Sequence, residues 1–183
     1  MSELLKQLST MDVDSSIQKS SFVEAVGKYI AGNGYSVVEL NDEKPWGAYF
    51  RFDNDNADAF IAEFFPGLTP IEARLGRDDL ELSPKILIVS PGQRLSWQYH
   101  NRRAERWAFL TDGAYNKSMN NDEGELFSAR AGDVVQFDRN ERHRLVGQSD
   151  TYALVAEIWQ HTDPAEPSDE DDIVRLQDDY KRD

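Results

Sequence analysis

The apolar positions along this chain follow two rhythms. Residues 1–34 read as helical: within 16–31, Ile17, Phe22, Val23, Val26, Tyr29 and Ile30 fall close to one helical face, and Gly32-Asn33-Gly34 ends it. Such a segment either packs on the body of the protein or serves contacts between copies, and the pattern does not choose. From Tyr35 the period shortens. Residues 36–40 read as a strand, Lys44-Pro45-Trp46-Gly47 as a turn and 48–52 as a second strand. Residues 53–84 interrupt the β pattern with an insertion of one or two short helices. One covers 58–65 and ends at Pro66-Gly67. The other opens at Thr69-Pro70-Ile71-Glu72, with a hydroxyl cap, proline at the first helical position and glutamate three residues after the cap. Candidate strands then follow at 85–90, 94–100, 105–111, 114–119, 125–129, 133–138, 143–147 and 152–160, with turn signals between them. Short strands at this spacing predict an all-β sandwich or barrel. Beyond Thr162 the chain is acidic and contains proline, and residues 168–171 resemble another cap, opening a short C-terminal helix. The expected organisation is a helical appendage (1–34) followed by a β domain (35–183), which carries the insertion at about 53–84 and an acidic C-terminal segment.

Composition narrows the chemistry. With 183 residues the chain suits one domain with an appendage, and it has no cysteine. Disulfides, thiolate metal sites and cysteine nucleophiles are excluded, so a metal site must use histidine, carboxylate and amide groups. No stretch approaches the roughly 18 apolar residues of a membrane span. The first residues lack a basic start followed by an apolar run, so a cytoplasmic location without a membrane partner is expected. A net charge of −14 disfavours nucleic acid as a partner. The cations are nevertheless clustered: Arg94, Arg102, Arg103 and Arg106 share one window, and Arg139, Arg142 and Arg144 another. They read either as solvated strand edges or as a cationic pocket for an anionic small molecule, since the guanidinium fork matches phosphate and carboxylate.

Side chains alternate along a strand, so in 94–100 Leu95, Trp97 and Tyr99 share one face and Arg94, Ser96, Gln98 and His100 the other. Glu105 opens the next strand after a turn at 101–104, and His143 opens a later one. Two imidazoles, a carboxylate and an amide oxygen would fill four positions of a divalent site and leave others open. His161 follows a strand end and reads as a surface or turn residue. Trp97, Tyr99, Trp107, Phe109 and Trp159 read as core.

Two stretches resemble the cupin motifs. The first is Gly92 through Gln98, His100 and Glu105 to Gly113, and the second runs from Gly132 to His143. The run RLSWQYHNRRAERW (94–107) is similar to the RLSLQ-x-H-x-HRAE-x-W signature of type II phosphomannose isomerases, in which glutamine also takes the first ligand position. Lys44 to Tyr49, His143-Arg144-Leu145 and Asp171 to Arg175 resemble that family's RPWG-x-Y, HRL and DDIVR pieces. Asn101, Asp138, Asn140, Gly147 and Lys181 depart from the family pattern, though none is a predicted ligand. The resemblance implies a cupin, a double-stranded β-helix or jelly-roll barrel, with an N-terminal helix and a helical insertion. It implies one divalent metal on Gln98, His100, Glu105 and His143, zinc foremost, with manganese, cobalt, iron or nickel as alternatives.

The activity implied is a metal-dependent aldose–ketose isomerase on a sugar phosphate of the mannose 6-phosphate/fructose 6-phosphate type. Arg175 would act at the barrel mouth, the competing role being an ion pair with Asp171 or Asp172. Arg94, Arg102, Arg103 and Lys85 are the substrate-binding candidates. By analogy with cupins that pair through their sheets, a homodimer is among the expected partners. Two other readings stand beside the isomerase: a non-catalytic cupin that binds a sugar or phosphorylated ligand as a regulatory or scaffold module, and a different metal reaction, such as an epimerase or oxygenase.

Overall fold

A computed structural model describes residues 3–182. In chain order the elements are α1 (Glu3–Thr10), α2 (Lys19–Gly32), β1 (Val37–Asn41), β2 (Gly47–Phe52), α3 (Ala57–Phe64), α4 (Pro70–Ala73), β3 (Lys85–Val89), β4 (Trp97–Tyr99) and β5 (Arg103–Phe109). There follow β6 (Gly113–Ser118), β7 (Leu126–Ala129), β8 (Val134–Phe137), β9 (Arg142–Val146), β10 (Ala153–His161) and β11 (Val174–Gln177). The strands form two antiparallel sheets, ordered β1-β2-β3-β10-β5-β8 and β11-β4-β9-β6-β7. This is the cupin barrel that the motifs imply, and its interior lies between the sheets.

The middle of the larger sheet is buried on both faces, which explains two nearly continuous apolar strands. Along β3 and β10, Ile86, Ile88, Leu154, Ala156 and Ile158 point to an outer cluster, while Leu87, Val89, Ala153 and Val155 point into the barrel. The outer cluster takes its other half from the helices: Leu4, Leu8, Phe22, Val23, Val26 and Ile30 from the N-terminal pair, and Phe60, Ile61 and Phe64 from α3. The choice left open by the sequence is thereby made, because the leading helices pack on the barrel. They are two rather than one, since Asp14 bridges Thr151 and the Tyr152 N–H donates to the Val13 carbonyl. Phe60 is fully buried and meets the rings of Tyr35, Phe52, Phe64 and Phe65. Phe60→Ala is expected to cost about 3–5 kcal/mol in urea unfolding, with divalent-metal content unchanged because this cluster lies on the far side of the sheet from the candidate site.

The capping box at Thr69 and Glu72 forms as read. The predicted helix from 168–171 does not. Asp169 Oδ1 accepts from the N–H groups of Asp171 and Asp172, and the Ser168 hydroxyl donates to Asp172. These local bonds supply a turn instead of a helix start, and the chain continues extended into β11. Strand 94–100 is also shorter than read, with Arg94 meeting Val146 only as an isolated bridge. Gly47 lies so close to β3 that a Cβ there would sit 1.8 Å from the Ile88 carbonyl oxygen, which requires glycine and holds Trp46 at the barrel mouth. No helix among the described residues is long and apolar enough to cross a membrane.

Candidate metal centre

Three elements bring the predicted ligands together. Gln98 on β4 pairs with His143 on β9 in the smaller sheet. His100 follows β4, and Glu105 projects from β5 of the facing sheet. The turn at Asn101 and Arg102 is set by Asp172, whose carboxylate accepts both backbone N–H groups at 2.8 and 3.0 Å. His100 Nε2 lies 3.1 Å from Glu105 Oε1, and His143 Nε2 lies 3.3 Å from Glu105 Oε2. One ligand atom from each of these three residues falls within 4.8 Å of the others. All three are buried, at 2, 2 and 1% exposure for His100, Glu105 and His143.

The donor chemistry fits a divalent cation. Nδ1 of His100 lies 2.5 Å from the Asp172 carbonyl oxygen and Nδ1 of His143 lies 2.9 Å from that of Glu141. A carbonyl only accepts, so each Nδ1 carries a proton, and in the neutral ring each Nε2 presents its lone pair. Glu105 Oε2 and His143 Nε2 are buried without a hydrogen-bond partner. Such a pair is costly unless something polar fills the point between them. Gln98 is the exception to the geometry read from the motif. Its Oε1 accepts from the Ser96 hydroxyl at 2.6 Å, and its Nε2 faces His100 Nε2 at 3.5 Å. A half-turn of the amide exchanges these roles, with the Ser96 hydroxyl accepting instead of donating.

Arg103 holds the site from behind, its Nε donating to Glu105 Oε1 at 2.8 Å. Its Nη1 donates to the Ser168 hydroxyl and to the Asp169 carbonyl, tying down the C-terminal segment. Burial opposes ionisation of Glu105, but its neighbours in the cluster, among them the Arg103 guanidinium that donates to Oε1, hold its carboxyl well below the usual carboxylate range. Burial moves the His100 imidazole below its ordinary value against the pull of Glu105, and Arg103 adds to the shift. An ionised carboxylate beside neutral imidazoles is the protonation state that metal ligation requires.

A cavity opens from this cluster to the barrel mouth. Gln98 and Glu105 line it, with Trp46, Tyr49 and Trp159 among its walls. Five cationic residues (Lys44, Lys85, Arg103, Arg175 and Arg182) face three acidic ones (Glu105, Glu157 and Glu170), so an acidic protein carries a locally positive pocket. Among the predicted substrate residues, Lys85, Arg103 and Arg175 line the cavity, and Arg94 and Arg102 do not. Arg94 spends its guanidinium on Asp179, and Arg102 on Asp169 and the Pro167 carbonyl. Arg175 pairs with Gln98 across β11 and β4. Of the other clustered arginines, Arg142 binds Asn121 and Arg144 binds Glu123. His161 is buried rather than superficial, because the chain doubles back and the Ser168 N–H donates to its Nδ1.

Sequence reasoning missed Lys44, Arg182, Glu157 and Glu170. Only Glu157 left a readable signal: it is the acid on the inner face of β10, in step with Ala153, Val155 and Trp159. Its carboxyl is raised to about 7 by burial and then by the Glu105 charge, against Lys85, Arg103 and the Trp107 hydrogen bond.

The model of the mannose-6-phosphate isomerase C-terminal family matches residues 78–178, more than half of the chain. The chain belongs to this family. The matched span of the mannose-6-phosphate isomerase C-terminal domain runs from before β3 to the end of β11, so it holds the whole candidate cluster and leaves out α1 to α4. No curated protein gives a significant match to the sequence. Among solved structures, the capsular polysaccharide assembling protein CapF from Staphylococcus aureus is similar at 14% identity and TM-score 0.50, covering 85% of this chain and 40% of its own. The oxalate decarboxylase of Lactobacillus farciminis, solved as a formate complex, is similar at 16% identity and TM-score 0.50, covering 75% of this chain and 33% of its own. The chain thus spans about two fifths of the first protein and a third of the second, and at these identities they share its fold alone.

Proposed function

We propose that this protein is a metal-dependent aldose–ketose isomerase acting on a sugar phosphate of the mannose 6-phosphate/fructose 6-phosphate type. The observation that carries the reading is the pair of orphaned atoms, Glu105 Oε2 and His143 Nε2, aimed at one point beneath a cation-ringed cavity. Family membership supports the substrate class.

Glu105, His100 and His143 would hold the ion, with the Gln98 amide as a fourth ligand. A bound divalent cation supplies charge stabilisation to the oxygens of a carbonyl and its neighbouring hydroxyl. The Lys85 ammonium is flanked by Glu157 and Glu170 at 3.9 and 2.8 Å. With Lys44, Arg175 and Arg182 it offers charge to the phosphate, whose binding energy positions the reacting carbons. Trp46, Tyr49 and Trp159 wall the cavity against water. Burial, helped by the Glu39 carboxylate that accepts its hydroxyl proton, moves the Tyr49 phenol upward, so it remains a donor.

The test is conversion of mannose 6-phosphate to fructose 6-phosphate, with and without a chelator. Turnover that a chelator abolishes and metal restores supports the reading. Stoichiometric metal with no turnover of any sugar phosphate would leave a ligand-binding module. Arg175→Ala is expected to lower turnover by about 100-fold or more while metal content stays at the wild-type level.

A further inference from the structure

Aldose–ketose isomerisation needs a group that lifts a proton from one carbon and returns it to the next. We infer that Glu157 is that group, a deduction that rests on the isomerase reading. The carboxylate stands mid-strand on β10, opposite Lys85 on β3 and Trp107 on β5, and is 6% exposed. Its Oε1 accepts from the Trp107 indole N–H at 3.1 Å, and its Oε2 lies 3.9 Å from the Lys85 ammonium. The Trp107 ring in turn stands edge-on to the His143 imidazole at 5.4 Å, so one side chain separates Glu157 from the ligand cluster. Glu157, Glu105 and Gln98 all line the same cavity.

The other polar groups facing this carboxylate have competing commitments. Glu105 is fixed between two imidazoles and Arg103. The Glu170 side chain is 60% exposed and bound to Lys85. Tyr49 is hydrogen-bonded to Glu39, while Lys85, Arg103 and Arg175 are cations. Trp107 and Lys85 hold the carboxylate in place, while its neighbours on the same face are Val155 and Trp159, where a buried charge is costly. A carboxylate that lines the cavity can both take a proton and return it.

In the forward direction Glu157 removes the proton on C2 of the aldose. The C–H pair becomes the C1=C2 bond, and the carbonyl π pair moves to O1. The hydroxyl proton passes from O2 to O1, Glu157 delivers its proton to C1, and the C2 carbonyl forms. C2 is oxidised and C1 reduced, so no outside oxidant takes part.

E157Q keeps the volume and the oxygen that accepts from Trp107. Turnover of mannose 6-phosphate, and exchange of its C2 proton into D2O, should both fall by roughly 100- to 10,000-fold, with metal content and thermal midpoint unchanged. E157D should recover part of both rates. A wild-type enzyme that turns over while E157Q keeps its rate within threefold, or keeps C2 exchange, overturns the assignment but leaves the isomerase reading intact. An inactive wild type overturns both. If E157Q loses metal or its fold, E157D decides: metal-loaded E157D with undiminished exchange overturns the assignment, and a reduced exchange rate sustains it.

Discussion

Replacing His100 with alanine is expected to lower divalent-metal affinity by at least about 100-fold and to abolish isomerisation with it. His100 is held by more than packing. Its Nδ1–H donates to the Asp172 carbonyl, and the Asp172 carboxylate fixes the turn that places the imidazole opposite Glu105. The Nε2 lone pair therefore points inward in a single tautomer, a preorganisation that no flexible substitute reproduces. His143→Ala should act alike, since its Nδ1 is bound to Glu141 and its Nε2 faces Glu105. Loss of one Nδ1–H bond costs only about 1 kcal/mol of fold stability, so both variants should remain folded while titration calorimetry shows metal binding gone. A variant that binds metal as tightly as wild type would remove its histidine from the site.

Arg103→Ala is expected to cost about 3–5 kcal/mol in denaturant unfolding of the metal-free protein. The side chain is 4% exposed and stacks over the Trp159 ring at 3.8 Å. Its removal strips Glu105 of its permanent cation and releases three hydrogen bonds to the C-terminal segment. Saturating zinc should recover part of the loss, because the ion restores positive charge at the carboxylate. The pH dependence should weaken. In the wild type the Glu105 carboxyl is held below its unfolded value of about 4.3, so it contributes stability above that pH and loses it as pH falls through the folded value. In Arg103→Ala one of the charges that oppose burial is gone, so the folded value rises and the gap to wild type should narrow as the pH falls through it. Arg103→Lys should recover little, because an ammonium cannot span Glu105, Ser168 and the Asp169 carbonyl together.

The parts that were legible from sequence share a physical reason. Strand alternation put Gln98 and His100 on one face, and the turn at 101–104 returned Glu105 to them, so these positions were local consequences of period and spacing. His143 joined them through a motif, and β9 pairing with β4 is what makes that possible. What stayed hidden depends on contacts between distant segments. Lys44 and Arg182 reach the cavity from opposite ends of the barrel sequence, and neither has a local pattern that announces it. The apolar face of α2 required a partner without specifying one, and the partner is the outer face of β3 and β10. Ser168 to Asp171 carried the residues of a helix cap and used them for a turn, because Asp172 is bound to the 101–102 backbone and Arg103. The arginine windows left solvated strand edges and a cationic pocket as alternatives; a cationic pocket exists, but only Arg103 among those seven lines it.

The central claim is that the two imidazoles, the carboxylate and the amide hold one divalent cation. The most direct test is anomalous diffraction from crystals soaked in zinc. The expected result is a single strong peak at about 2.0–2.2 Å from His100 Nε2, His143 Nε2 and a Glu105 oxygen, with the Gln98 amide oxygen turned toward it. A zinc-saturated crystal with no peak at that point, or with His143 or Glu105 outside bonding distance of it, would contradict the account.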